Sequence, residues 1–148
     1  MPRFYPRWLD HERHVNLREV APGLYVGAST SPATKRFDVV YVLSPSPVAS
    51  DYRGHGQVHF RHFRDGESFP PGVLDEIAWF YRSLGPDQEM LVHCAAGLSR
   101  SASAAYAVLR AELGFSEGDA LRRVKAHPSF PMVRTLDSAE AWARRQGA

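Results

Sequence analysis

A strand, a loop and the start of a helix follow one another in residues 89–101, which read EMLVHCAAGLSRS. The first five residues form a short apolar run that predicts a strand, and the small residues after it predict a tight loop. The next segment, SASAAYAVLRAEL, predicts a helix rich in Ala and Leu that ends at Gly114. Cys94 therefore lies at the carboxyl end of a strand, while Arg100 and Ser101 open a helix.

Two further strands and a helix are predicted before this segment. Residues 38–44, DVVYVLS, form an apolar, β-branched run of the kind that is covered on both faces of a sheet. Residues 58–63, VHFRHF, predict a strand that leads into a polar cluster, RDGES, and then Pro70-Pro71. We call residues 64–71 the aspartate loop. Apolar residues follow helical spacing from about Gly72 to Leu84.

The remaining elements complete an α/β pattern. The segment LREVAPGLYVGAS predicts a hairpin around Pro22-Gly23. One more helix is predicted from Ser116 to just before Pro128, and a last one over about Leu136–Gln146. Strands interleaved with helices favour a mostly parallel central sheet flanked by helices, with several helices at the C-terminal end.

Length and composition fit a single domain. The chain has 148 residues, of which 44% are hydrophobic and 23% are charged, as in ordinary soluble globular proteins. We expect one domain over residues 1–148, with an N-terminal arm over 1–16 and a core over 17–148. No part of the chain reaches the roughly 18 apolar residues of a membrane span, and the beginning lacks the apolar run of a signal peptide. We therefore expect a cytoplasmic protein that does not bind membranes.

Charge and cysteine content narrow the classes of ligand. The formal net charge is +2, and sixteen of the 18 basic residues are arginines. This favours bidentate oxyanion binding over a lysine-rich face for nucleic acid, so we expect no nucleic-acid partner. Cys94 is the only cysteine, which excludes an intramolecular disulfide and a four-cysteine zinc site. The pairs His59/His62 and His11/His14 lack a third ligand at metal-binding spacing, so neither a metal nor a cofactor is expected.

The composition of residues 94–100, here called the cysteine loop, is typical of an anion site. Backbone N–H groups of a tight loop and of a helix N-terminus can converge on a phosphate, and the positive end of the helix dipole favours the anion. The same field stabilises a negative charge on sulfur, so Cys94 is expected to be a thiolate at neutral pH. The Arg100 guanidinium offers a planar fork to two oxygens of a phosphoryl group. The expected phosphate-binding residues are Ala95, Ala96, Gly97, Leu98, Ser99 and Arg100.

Residues 93–101, HCAAGLSRS, resemble the His-Cys-five-residue-Arg-Ser/Thr signature of the cysteine-dependent protein tyrosine phosphatases, and most closely that of their dual-specificity branch. The segment PGLYVGAS is similar to an early Pro-x-Leu-Tyr-Leu-Gly stretch of the family, and the resemblance covers roughly residues 16–142. It implies the fold of that branch. It also implies a metal-independent phosphomonoester hydrolase that acts on phosphorylated proteins or peptides through a phosphocysteine intermediate.

The resemblance further implies a role for each residue of the signature. Cys94 is the expected nucleophile, and Arg100 is the expected phosphate clamp. Ser101 matches the hydroxyl that hydrogen-bonds the sulfur and assists breakdown of the intermediate. His93 matches the histidine that orients the cysteine and is not a catalytic base.

A general acid is also required, because an alcohol or phenol leaves poorly unless its oxygen is protonated. Asp65 is the expected acid: it follows a strand, and it precedes the cysteine by 94 − 65 = 29 positions, close to the separation in the family. Glu67 is the nearest competitor for this role.

Departures from the family pattern leave the substrate open. Ala126-His127-Pro128 and Pro131-Met132 stand where many relatives carry Arg-Pro and Pro-Asn, so contacts with the substrate surface are altered. The cysteine loop lacks the lysines of phosphoinositide-directed relatives, which makes inositol lipids a poorer expectation. Two alternatives stay open: a phosphate-binding pseudophosphatase module, and a phosphatase for a non-protein substrate such as an RNA 5′-phosphate or a small metabolite. Ser101 and Asp65 argue against a rhodanese-like or arsenate-reducing enzyme.

Overall fold

A computed structural model gives the structure of the protein and describes residues 17–45 and 52–148. The expected N-terminal arm, residues 1–16, lies outside the described residues. The described strands are β1 (Arg18–Ala21), β2 (Leu24–Gly27), β3 (Val39–Val42), β4 (Gln57–Phe60) and β5 (Met90–His93). The described α-helices are α1 (Val73–Ser83), α2 (Arg100–Leu113), α3 (Glu117–Val124) and α4 (Val133–Arg145).

The five strands form one sheet in the order β1-β2-β5-β3-β4. The β1–β2 pair is antiparallel and joined by the predicted turn, in which Gly23 adopts a φ of 76°. The pairs β2–β5, β5–β3 and β3–β4 are parallel, which confirms the predicted mostly parallel sheet. Both β3 and β5 are buried along their whole length, as their continuous apolar sequences require. The carboxyl ends of β3, β4 and β5 therefore meet at one edge.

The helix that follows the cysteine loop, α2, runs through the centre of the molecule. Its alanines at 102, 104, 105 and 107 are fully buried, and small side chains let the helix pack closely against the sheet and α4. The helix ends at Gly114, as predicted, where a φ of 71° is accompanied by a bond from Phe115 N to Leu109 O of 3.0 Å. Its N-terminus is thus held rigidly at the sheet edge.

The later helices begin close to their predicted positions. Ser116 caps α3, since its hydroxyl accepts a hydrogen bond of 3.2 Å from Asp119 N. The last helix begins at Val133, three residues before the predicted start at Leu136. Within residues 17–45 and 52–148, none of the helices has the length and apolar character needed to cross a bilayer.

A mostly buried ion pair joins α2 to α4. Arg110 donates two hydrogen bonds, of 2.8 and 2.9 Å, to the two carboxylate oxygens of Glu140. Tyr106 adds an O–H bond of 2.8 Å, and Arg144 adds an N–H bond of 2.7 Å. The bonds from Arg110 lower the pKa of the Glu140 carboxyl well below its usual range, so this side chain is ionised across the working pH range.

Replacing Glu140 by glutamine is expected to lower the free energy of unfolding by about 2 kcal/mol, because Arg110 is left facing a neutral group in a desolvated position. A carboxyl with a lowered folded pKa stabilises the fold above the pH at which an unfolded glutamate titrates, about 4.3, and this contribution is lost as pH falls. Urea unfolding of both proteins at pH 7 and pH 3.5 should show the difference shrinking at the lower pH. Asp137→Asn, on the exposed side of the same helix, is the control, and an equal loss in both variants would contradict the assignment.

Candidate active site

Cys94 follows β5 directly, and its sulfur faces the first turn of α2. The Cys94 N–H donates a hydrogen bond of 3.2 Å to Gly27 O on β2, which fixes the first peptide of the loop. The Cys94 side chain is buried, and its Sγ lies 3.2 Å from the Ser101 Oγ. The structure therefore brings together the predicted nucleophile and the predicted hydroxyl partner at the positive end of a helix dipole.

Arg100 is held by backbone carbonyls at the ends of two neighbouring strands. Its Nη1 donates a bond of 2.7 Å to Phe63 O and a longer one of 3.4 Å to Leu43 O. Its Nε is buried and has no hydrogen-bond partner among the described residues. The guanidinium is thus fixed on one side by the protein while a donor on its other side can bind an anion.

Asp65, on the aspartate loop, lies beside Arg100. Its Oδ1 lies 3.8 Å from the Arg100 Nε and accepts a bond of 3.0 Å from Gly66 N, while 44% of its side chain is exposed. Glu67 instead lies 3.9 Å from the exposed Arg64 and does not line the pocket around Cys94. The structure therefore brings Asp65, and not Glu67, to the cysteine.

The aspartate loop is anchored to the last helix rather than to the sheet alone. The buried Thr135 donates its hydroxyl to Glu67 O at 2.8 Å, and Phe69 N donates to the Ser138 Oγ at 3.1 Å. Both hydroxyls belong to the first turns of α4. The position of Asp65 consequently depends on a helix about 70 residues later in the chain.

His93 lies behind the cysteine and is completely buried. Its Nδ1 lies 3.3 Å from Cys94 O, and its Nε2 lies 2.9 Å from the Tyr52 hydroxyl. A carbonyl can only accept, so Nδ1 carries a proton and donates to Cys94 O, while Nε2 and the Tyr52 hydroxyl share the second hydrogen bond. This arrangement orients the backbone of the cysteine, in keeping with the role that the resemblance implies. Sequence reasoning missed Tyr52, since no motif marks it.

A small pocket of about 80 Å³ lies between Cys94, Arg100 and Asp65. A water molecule occupies about 30 Å³ in the liquid, so the pocket has room for one small anion. Its lining includes two charged side chains, Arg100 and Asp65. The described residues that line it are Asp65, Cys94, Ala95, Ala96, Leu98, Ser99, Arg100 and Phe130. Gly97, an expected phosphate-binding residue, is buried within the loop with a φ of 74° and is not part of the lining.

Phe130 is the second site residue that sequence reasoning missed. It belongs to the segment between α3 and α4 whose sequence departs from the family pattern, and that departure was the available signal. The segment is attached to the cysteine loop, since Met132 N donates a bond of 3.0 Å to the Ser99 Oγ. An aromatic ring therefore stands at the rim of the pocket. In the described ranges, no three His, Cys, Asp or Glu side chains form a group that could bind a metal ion.

Curated proteins with similar sequences are dual-specificity phosphatases. Dual specificity protein phosphatase Mpk3 of Drosophila melanogaster is 27% identical in an alignment of 141 residues that covers 85% of this chain and 34% of that protein. Dual specificity protein phosphatase 26 of Rattus norvegicus is 32% identical in an alignment of 124 residues that covers 74% of this chain and 58% of that protein. The chain thus spans between about a third and three fifths of the length of these relatives. No protein-family model matches the chain.

Solved structures share the fold at lower sequence identity. Tk-PTP in its active form superposes with a TM-score of 0.72 at 20% identity, over 88% of this chain and 97% of that one. The human tyrosine phosphatase-like serine/threonine/tyrosine-interacting protein also gives a TM-score of 0.72, at 19% identity, over 89% of this chain and 98% of that one. Sequence and fold agree with the signature around Cys94. The chain is therefore similar in sequence to dual-specificity phosphatases and shares the fold of protein tyrosine phosphatases.

Proposed function

We propose that the protein is a phosphomonoester hydrolase of the dual-specificity type, which acts on phosphorylated proteins or peptides through a phosphocysteine intermediate. One observation carries the proposal. The Cys94 sulfur, the buried Arg100 Nε and the Asp65 carboxyl surround a single pocket of about 80 Å³, with the Ser101 hydroxyl 3.2 Å from the sulfur. In the same proposal, residues 17–148 are the catalytic core of one domain and residues 1–16 are an arm.

In the first step, the Cys94 thiolate attacks phosphorus as the bond to the ester oxygen breaks. Asp65 gives its proton to the departing oxygen, which leaves as a neutral alcohol or phenol. Arg100 and the loop N–H groups of residues 95–100 bind the equatorial phosphoryl oxygens, and their donors stabilise the charge of the transition state. The product of this step is phosphocysteine.

In the second step, water attacks the phosphorus and the sulfur–phosphorus bond breaks. The Asp65 carboxylate now accepts the proton of the attacking water, the reverse of its first role. The Ser101 hydroxyl donates a hydrogen bond to the departing sulfur, which then carries the negative charge. Inorganic phosphate is released, and His93 keeps the peptide of Cys94 in place through both steps.

The absence of lysines from the described lining of the pocket supports the proposed substrate class. Phosphorylated proteins or peptides fit a site with one guanidinium and no lysine cluster, and neither a nucleic acid nor a membrane surface is part of the proposal. A thiol nucleophile works only while it is reduced, so we place the proposed activity in the reducing cytoplasm.

Replacing Asp65 by asparagine is expected to lower kcat/KM, which covers the steps up to departure of the phenol and not the breakdown of phosphocysteine, by roughly 10²-fold for phenyl phosphate and by much less for p-nitrophenyl phosphate. The reason is that nitrophenolate leaves without a proton, whereas phenolate does not. Steady-state phosphate release, with a chelator and a reductant present, measures both rates.

Glu67→Gln is the matched control, because it removes a carboxyl from the same loop without touching the pocket, and it should leave both rates unchanged. An equal loss on both substrates for Asp65→Asn would contradict the role of general acid. A folded wild type that binds phosphotyrosine without releasing phosphate would replace the enzyme by a binding module.

A further inference from the structure

In the cysteine loop, the carbonyl groups of every second residue from Ala95 to Ser99 accept hydrogen bonds from groups outside the pocket. Ala95 O accepts bonds from Ser29 N and from the Ser29 hydroxyl, at 3.0 and 3.2 Å. Ser99 O accepts the first bond of the helix, of 2.8 Å, from Ser103 N. Between them, Gly97 O accepts a bond of 3.4 Å from the Arg18 Nη1.

These bonds set the direction of the loop N–H groups. In a planar trans peptide, the carbonyl of one residue and the N–H of the next point in opposite directions. A Gly97 carbonyl that faces Arg18 turns the N–H of Leu98 to the opposite side of the loop, where Leu98 lines the pocket. The middle of the loop depends for this orientation on a long side chain that can adopt other rotamers.

Arg18 lies on β1, which is the outermost strand on the side of the sheet opposite β4, and its side chain reaches the cysteine loop. Its Nη2 also donates to Val124 O, the last carbonyl of α3, where a cation is favoured by the helix dipole. One guanidinium therefore bridges the back of the cysteine loop and the end of a helix. Only a forked donor of this length can bond both carbonyls at once.

The charge of Arg18 also interacts with the nucleophile. Burial lowers the pKa of the Arg18 guanidinium, and the negative charge of Cys94 acts in the opposite direction and raises it. Opposite charges attract, so the Arg18 guanidinium and an anion on the Cys94 sulfur stabilise each other. The other groups that face the sulfur are the N-terminus of α2, the Ser101 hydroxyl, Arg100, Asp65 and the His93 ring.

We propose that Arg18 is a positioning residue that holds the Gly97 peptide in its anion-binding orientation and stabilises the Cys94 thiolate from behind the loop. The first part rests on the proposed function, since it concerns the binding of a phosphoryl group. The second part concerns the sulfur alone. Arg18 does not line the pocket, so it acts through the loop and not on the substrate.

The test uses alkylation of Cys94 by iodoacetamide, which requires no turnover. Cys94 is the only cysteine, so the increase in protein mass reports this one thiol. Arg18→Gln should raise the pH of half-maximal alkylation rate by roughly one unit, because the stabilising charge is gone. Arg18→Lys keeps the charge and should return this midpoint to within about 0.3 of the wild-type value.

Protection by inorganic phosphate tests the positioning role in the same assay. Both variants should need about 10-fold more phosphate to halve the alkylation rate, because neither side chain can bond Gly97 O and Val124 O together. The Arg18→Lys variant thus separates the two roles. Its pH midpoint of alkylation should match that of the wild type, whereas its protection by phosphate should be weakened. Circular dichroism and thermal unfolding establish that the variants fold. If Arg18→Gln does not fold, Arg18→Lys carries the test of the positioning role, and Arg18→Met, which removes the charge but keeps a long side chain, carries the test of the midpoint.

Arg122→Gln on α3 is the control: Arg122 is 75% exposed, pairs only with Asp119 among the described residues, and should change neither quantity. A wild-type midpoint in folded Arg18→Gln would overturn the electrostatic role, and unchanged phosphate protection in both variants would overturn the positioning role. If phosphate fails to protect the wild type, the proposed function and the positioning role fall together, while the midpoint still tests the effect on the thiolate.

Discussion

Cys94→Ser is expected to reduce phosphate release from an aryl phosphate by at least about 10⁴-fold while leaving the fold intact. A serine hydroxyl stays protonated at neutral pH, whereas the site stabilises an anion on sulfur. The smaller side chain fits where Cys94 is buried against the Ser101 hydroxyl, so the phosphate pocket should persist. Phosphate release and calorimetric binding of phosphate, measured on the same sample, check both parts of this expectation.

Trapping the intermediate provides the complementary measurement. Acid quenching of the wild type during turnover should add one phosphoryl group, and peptide mapping should place it on Cys94. The serine variant should show none. A serine variant that retains substantial turnover, or a phosphoryl group on another residue, would remove the basis for the cysteine mechanism.

Arg100→Lys is expected to lower kcat/KM by about 10³-fold, the second-largest effect. The guanidinium uses Nη1 to bond Phe63 O and leaves its Nε to bind an anion. An ammonium group has no planar fork, so it cannot keep the backbone contact and bind two phosphoryl oxygens in the same geometry. Steady-state kinetics on an aryl phosphate measures the loss.

Arg64→Lys provides a matched control for Arg100→Lys. Its side chain is 83% exposed on the aspartate loop, beside Asp65 in sequence, and within residues 17–45 and 52–148 its ion pair is the long contact with Glu67. Its kcat/KM should stay within twofold of the wild-type value. A loss in Arg100→Lys no greater than in Arg64→Lys would show that the guanidinium geometry is not required.

The fold was predictable where local pattern and burial agree. The apolar runs of β3 and β5 predicted strands that are buried on both faces, and helical spacing predicted α1 over nearly its observed range. Strand ends were less well predicted: β4 ends at Phe60, whereas the predicted strand continued to Phe63. Tyr25, in the apolar stretch of β2, is half-buried because its hydroxyl lies near Lys35 at the surface.

The site was predictable where its residues are adjacent in sequence. Cys94, Arg100 and Ser101 lie on one loop and helix start, so their spacing alone implies proximity. Asp65 required an argument from topology, since it belongs to a different strand end. Tyr52 could not be predicted as a site residue, because tertiary packing alone brings it to His93, and for Phe130 the only signal was the departure of its segment from the family pattern.

The two hydroxyls of α4 that bond the aspartate loop show that different parts of the fold hold the two loops of the site. The sheet and α2 hold most of the groups proposed to bind a phosphoryl group, whereas Thr135 and Ser138 of the last helix hold the loop that carries the proposed general acid. Sequence change at these two hydroxyls is therefore expected to alter the rate of turnover more than the capacity to bind phosphate. Substitutions in the last helix could therefore convert such a phosphatase into a phosphate-binding domain during evolution, with every residue of the cysteine loop unchanged.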